Sequence, residues 1–236
     1  MDSAKARYEQ GQYKLEVQDG IWKAGQMASL LDSIQDKSSI RRYADVGCGP
    51  GDVLVHLHAR LLRAGFPLEK VYGYDIAPFP EGLKASHPEI LFRQADVLDS
   101  DECFDLVTAN DVLEHMSAPQ RFLELIAQRT RYFAIHMPLD DRLSVLLTNQ
   151  YNYRLREVGH LSFWNPSSAI NLITDAGIQP LRIHFTPGFM APSGRERFSQ
   201  LLAMPIRFLV GTISCGLAAS TVGGYSLAIL GRGMMP

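Results

Sequence analysis

Ala44-Asp45-Val46-Gly47-Cys48-Gly49-Pro50-Gly51-Asp52 is the stretch that decides the fold. Tyr43–Val46 before it reads as a strand. Leu54, Leu57, Leu61 and Leu62 after it form one stripe of a helix that Gly65 and Pro67 stop. Glycines at a strand-to-helix junction let the backbone turn sharply and let a ligand approach with no Cβ in the way. The amides that open the helix favour an anionic ligand group. A dinucleotide fingerprint places its third glycine one residue later than Gly-x-Gly-x-Gly does. The spacing here therefore points to a carboxylate more than a diphosphate, and disfavours a nucleotide-dependent dehydrogenase.

Outward from this junction, short apolar runs alternate with amphipathic stretches, the pattern of a parallel sheet with helices on both faces. Further strands are predicted at Val71–Asp75, Ile90–Ala95, Phe104–Ala109, Tyr132–Met137 and Leu181–Phe185. Helices are predicted over Ile21 to Ile34, near Glu81–Ser86, from Pro119 onward, and over Ser167–Ala176, closed by Gly177. Residues 138–166 are irregular and rich in aromatics and arginine, too long for a plain connection, and are expected to be a lid. The 236 residues suit one α/β domain. Its expected parts are an N-terminal helical cap over 1–38 and insertions at 138–166 and 187–222.

A hydrophobic share of 46% with 20% charged residues is that of an ordinary globular chain. A net charge of −2 offers no basic surface for nucleic acid. Three cysteines, Cys48, Cys103 and Cys215, are too few and too scattered for a disulfide framework or a zinc knot, so a cytoplasmic protein is expected. Met1 to Gln12 is polar and does not read as a signal peptide. Phe208 to Leu230 carries no charge and is long enough to cross a bilayer. Gly211, Gly216, Gly223 and Gly224 dilute it, however, and Gly223–Gly224 split it. A buried helix followed by a strand, Tyr225–Leu230, is favoured over a membrane span.

Three more elements stand at the carboxyl ends of successive strands, the edge where open α/β sheets bind ligands. Asp75 ends the second strand, as suits a carboxylate that accepts from both ribose hydroxyls. Asp96-Val97 follows the third and could flank an adenine. Phe104 to His115 ends the fourth and is expected to begin a helix. In order and spacing these elements resemble the class I, seven-stranded S-adenosylmethionine-dependent methyltransferases. They are most similar to small-molecule methyltransferases of the ubiquinone-biosynthesis type. Val158-Gly159-His160-Leu161-Ser162-Phe163-Trp164 is similar to a segment that precedes strand six in that group. The likeness runs from about Arg42 to Phe185.

The resemblance implies a Rossmann-like three-layer α/β sandwich, its sheet mostly parallel, with an antiparallel last strand at the sheet edge for which Tyr225–Leu230 fits. It implies S-adenosylmethionine as cofactor. Asp45, Gly47, Gly49 and Gly51 would surround the methionine part, with Asp75 at the ribose and Ile76 beside the adenine. Asp96 would meet the adenine amino group, backed by Val97. Asn110 would line the cleft near the sulfonium, with His115 just beyond. The acceptor would be a small molecule methylated on oxygen or nitrogen.

His160 is the first candidate for a base; its alternative role is to order the lid. Arg154, Arg156, Phe163, Trp164, Phe189 and Met190 are candidate pocket walls. Asp111, Glu114 and His115, at i, i+3 and i+4, would share a helix face. That face could hold a divalent cation, but a solvated or capping face is favoured and no metal is expected. His56 and His58 are expected at the surface, and Cys48 in packing. Tyr8, Tyr13 and Trp22 would either flap over the cofactor or pack on the core. A dimer is one option for an oligomeric state the sequence leaves open. The competing reading is a membrane-associated or non-catalytic protein that keeps this fold, with Phe208–Leu230 as anchor.

Overall fold

The computed structural model describes residues 17–196 and 198–235. Seven strands form one sheet: β1 (Arg42–Val46), β2 (Lys70–Asp75), β3 (Ile90–Gln94), β4 (Phe104–Asn110), β5 (Thr130–Pro138), β6 (Gln179–Thr186) and β7 (Ser226–Arg232). Their order is β3-β2-β1-β4-β5-β7-β6. Pairing is parallel from β3 through β5, and β7 runs antiparallel to both β5 and β6. The antiparallel strand thus lies inside the sheet, not at its edge as expected. Leu227, Ala228, Ile229 and Leu230 are all buried, whereas β6 exposes Leu181 and Ile183. An unbroken apolar run needs cover on both faces, so it takes the interior slot and leaves the edge to β6.

Alternation along the strands divides the core into two layers. Tyr43, Leu106 and Ala134 face one side, where they meet Met27 and Leu31 of α1 (Gly20–Leu31) and Leu54, Leu57 and Leu61 of α2 (Asp52–Arg63). Ala44, Val107, Phe133 and Ile135 face the other, against α3 (Pro119–Ala127), α4 (Pro166–Asp175) and Ala218 and Ala219 of α6 (Cys215–Ser220). His58 belongs to the buried side of α2, four residues after Leu54, which corrects its expected surface position; burial lowers its pKa.

The apolar stretch Phe208 to Leu230 divides among the end of α5 (Phe198–Ile213), α6 and β7. Among the described residues, no helix is long and apolar enough to cross a membrane. The predicted lid holds a short helix at Leu143–Leu147, one turn at Tyr151–Tyr153 and a π-helical turn at Arg154–Val158. Tyr8 and Tyr13 lie outside the described residues. Trp22 packs edge-on against His136, ring centroids 6.3 Å apart.

Candidate active site

Asp45, one residue before the end of β1, lies in a dry setting and is 1% exposed. Its Oδ1 accepts from Thr108 Oγ1 at 2.5 Å and from Asn110 Nδ2 at 3.1 Å, both on β4. Its Oδ2 is buried with no partner, as is Asn110 Oδ1. Burial raises the Asp45 carboxyl to about 7 against the pull of the two hydrogen bonds, and the charge of Asp75 adds to the rise.

Beyond Asp45 the chain turns through Gly47, Gly49 and Gly51, at φ of 67°, 52° and 89°. These left-handed conformations favour glycine. A Cβ on Gly47 would also come within 2.5 Å of Val112 Cγ2, so the turn sits directly against the chain leaving β4. Asp75 holds the turn from the next strand: Oδ2 accepts from Gly49 N at 2.7 Å, and Oδ1 from Ala77 N at 2.8 Å. Burial raises the Asp75 pKa despite these amides. Each oxygen keeps a further lone pair for a ligand hydroxyl. Ile76 follows, half-buried. Asp96 caps the turn Val97–Asp99, its Oδ1 accepting from Leu98 N at 3.0 Å, and Val97 is buried beneath. The predicted cofactor residues Asp45 to Asn110 thus gather at the carboxyl ends of β1 to β4.

The chain past β4 departs from expectation. Asp111 takes φ 54°, and Leu113–His115 form a 3-10 turn, so Asp111, Glu114 and His115 share no helix face. Asp111 turns toward Lys23 of α1 (2.7 Å) and His136 Nδ1 (2.8 Å), and His136 Nε2 reaches Thr186 Oγ1 at 2.9 Å. Burial works against its charge, but Lys23 and His136 outweigh this and hold the carboxyl far below its ordinary range. Glu114 turns inward, 1% exposed, with neither carboxyl oxygen partnered, which corrects the expected solvated or capping face. Burial and then repulsion by Asp111 push its pKa well up. The ligand-type group that forms is instead Glu114, His115 and His160, whose atoms lie within 4.8 Å of one another.

His115 Nδ1 lies 3.1 Å from Gly159 O, so His115 is tied to the lid. Burial, then the neighbouring His160, lowers its pKa to about 4. His160 is buried, edge-on to His115 at 5.0 Å, with Nδ1 3.0 Å from Asp140 Oδ2. The sequence reading missed Asp140. It also binds Arg154 (2.5 Å) and Arg142 (3.3 Å). Burial opposes its charge, but His160 and these arginines keep the carboxyl below its ordinary range. Its signal was its place just past β5, at the same sheet edge as Asp45, Asp75 and Asn110.

A family model described as "Methyltransferase domain" matches residues 21–182. No curated protein matches the sequence. Among solved structures, the chain is similar to phosphoethanolamine N-methyltransferase 2 of Haemonchus contortus in complex with S-adenosyl-L-methionine. The TM-score is 0.64 at 16% identity, covering 100% of this chain and 61% of that one. It is also similar to magnesium protoporphyrin IX methyltransferase from Synechocystis with bound SAH (0.56, 15%, 90% and 82%). A third likeness is to a SAM-dependent methyltransferase from Archaeoglobus fulgidus (0.55, 19%, 89% and 94%).

Proposed function

Since the chain belongs to the methyltransferase-domain family, we propose that it methylates a small-molecule acceptor on oxygen or nitrogen, and that the residues gathered at β1 to β4 hold S-adenosylmethionine. That cofactor supplies an electrophilic methyl group on its sulfonium. The observation that carries the reading is Asp75: amides of two loops fix it at the lip of the glycine turn, with lone pairs left for a vicinal diol. Asp45 Oδ2 and Asn110 Oδ1, buried and unpartnered, suit the ammonium of the methionine part. Asp96 and Val97 would border the adenine, with Ile76 on its other side.

On the acceptor side we assign His160 as base. Its Nδ1–H donates to Asp140, which leaves Nε2 as the basic nitrogen for an acceptor proton. Asp140 orients the ring. His115, neutral through burial and edge-on to His160, would line the cleft. The lid shields the reacting groups from water. Most of the rate then comes from alignment, which is worth on the order of 7–11 kcal/mol. The segment His160 to Trp164 supports the ubiquinone-biosynthesis-type subgroup, and the free cysteines support a cytoplasmic setting.

Calorimetry with S-adenosylhomocysteine tests the reading. Wild-type protein should bind it, and Asp75→Ala should weaken binding by about 2–3 kcal/mol, as removal of one partner of charged hydrogen bonds does. A wild-type protein that gives no heat, or an Asp75→Ala variant that binds equally well, defeats it.

A further inference from the structure

Past the end of β5, one buried carboxylate stands against three guanidinium groups. Asp140 Oδ2 accepts from Arg154 Nη1 at 2.5 Å and lies 3.0 Å from His160 Nδ1, while Oδ1 accepts from Arg142 Nη1 at 3.3 Å. Asp141, the next residue, is turned elsewhere: it accepts from Tyr151 Oη at 3.0 Å and from Asn165 Nδ2 at 2.9 Å. The third guanidinium, that of Arg207, comes from α5. Ser226 of β7 pairs with Pro138 of β5, so Gly223 and Gly224 lie at the edge where Asp140 and Arg142 leave the sheet. These glycines make room for both arginines: a Cβ on Gly224 would lie 2.8 Å from Arg207 Cδ, and one on Gly223 would strike the Arg142 guanidinium. Tyr225 Oη donates to Arg207 O at 3.3 Å, which ties this turn of α5 to the head of β7.

The hydrogen bonds of the three arginines are incomplete. Arg142 donates from Nη1 also to Leu139 O (3.0 Å) and from Nε to Ser144 Oγ (3.2 Å), and no described residue accepts from its Nη2. Arg154 Nε and Arg207 Nε are buried without acceptors, and no described carboxylate pairs with Arg207. Burial lowers the Arg142 pKa to about 10; Asp140 opposes the fall, and the charges of Arg154 and Arg207 deepen it. Burial lowers that of Arg207 too. Cations taken out of water need counter-charges or full hydrogen bonding. Here the fold supplies one carboxylate for three of them, and a ligand can bring the charge that is missing.

We propose that Arg142 and Arg207 bind an oxyanion, a carboxylate or a phosphate, carried by the methyl acceptor, with Arg154 adding to the attraction. Planar guanidinium forks match the paired oxygens of either group. The inference deepens the methyl-transfer reading and rests on it for the role of the ligand. Asp140 links the two ends of the acceptor site, with His160 on one oxygen and Arg142 on the other. An acceptor held by its anionic end on the arginines would direct its nucleophile toward His160 Nε2.

Calorimetry of the full chain, with and without S-adenosylhomocysteine, tests the site at constant ionic strength. The probes are benzoate, phenyl phosphate and the neutral benzamide. At least one anion should bind about tenfold or more tightly than benzamide, and Arg207→Met should remove about tenfold of that affinity. Met keeps an apolar stem on Gly224 and deletes a charge that has no described carboxylate partner, so the ligand-free melt should hold or rise. Arg142→Lys, which keeps the charge and loses the fork, should also weaken the anion. The proposal is overturned if neither anion outdoes benzamide, if Arg207→Met binds them as wild type does, or if that variant melts lower as a structural arginine would. S-adenosylhomocysteine keeps the two readings apart. Heat with it but with neither anion sinks the oxyanion site alone; Arg207-dependent anion binding without that heat upholds the site and sinks methyl transfer.

Discussion

Asp45 is a carboxyl group held where it ionises with difficulty, and that fixes how binding responds to pH. Burial sets its pKa at about 7, so the folded protein keeps a proton on it that the unfolded chain releases near 3.8. Its contribution to stability is therefore fully present below the unfolded value and is lost as pH rises through about 7. A ligand ammonium needs the ionised form. Affinity for S-adenosylhomocysteine should fall as pH drops below 7, by up to about tenfold per pH unit. Melting curves at about pH 6 and pH 8 should show the ligand-induced gain in Tm growing with pH; a gain that shrinks would place the ammonium elsewhere. His160 separates chemistry from binding. His160→Gln should reduce turnover by about two to four orders of magnitude while leaving S-adenosylhomocysteine affinity unchanged. An unaltered rate removes it as base.

At the scale of elements, close approach between α2 and β2 shapes the glycine turn. A Cβ on Gly73, mid-strand in β2, would come within 2.8 Å of Leu54 Cδ2, 2.9 Å of Cys48 Sγ and 2.9 Å of Phe92 Cδ1. Gly73→Ala should therefore destabilise by about 1–3 kcal/mol through overpacking. Because Cys48 is part of the turn, it should weaken S-adenosylhomocysteine binding as well. A variant with lower Tm and unchanged affinity would show that the turn is insulated from β2. The strands and the turn could be read from sequence because local patterns write them: apolar runs of four to six residues, glycines at a junction, acids at strand ends. The slot of β7 could not, because it depends on what covers each face of the finished sheet. The helix expected after Asn110 failed for a similar reason. Asp111 is drawn into a left-handed conformation by Lys23 and His136, which are distant in sequence. Asp140 escaped because its partners Arg142, Arg154 and His160 meet only when the lid folds back on itself.

Across the whole molecule, α1 is wired to the cofactor edge by charge. Lys23, Asp111, His136 and Thr186 form a chain of contacts of 2.7–2.9 Å that joins α1 to the exits of β4, β5 and β6. A non-glycine residue at φ 54° costs on the order of 1–3 kcal/mol and persists only where its surroundings hold it. Asp111 stands between Asn110, which binds Asp45, and Val112, which packs where a Cβ on Gly47 would fall. Loosening it should therefore disturb both walls of the methionine site although Lys23 belongs to another layer of the fold. Lys23→Met is expected to lower Tm and to weaken S-adenosylhomocysteine binding by about tenfold. Asp111→Asn should do the same. If the two act through one contact, the double variant should be no worse than either single one, with a coupling energy of about 0.5–3 kcal/mol. Additive losses would mean that α1 supports the sheet and the site by separate routes, and that Asp111 owes its conformation to the strand ends alone.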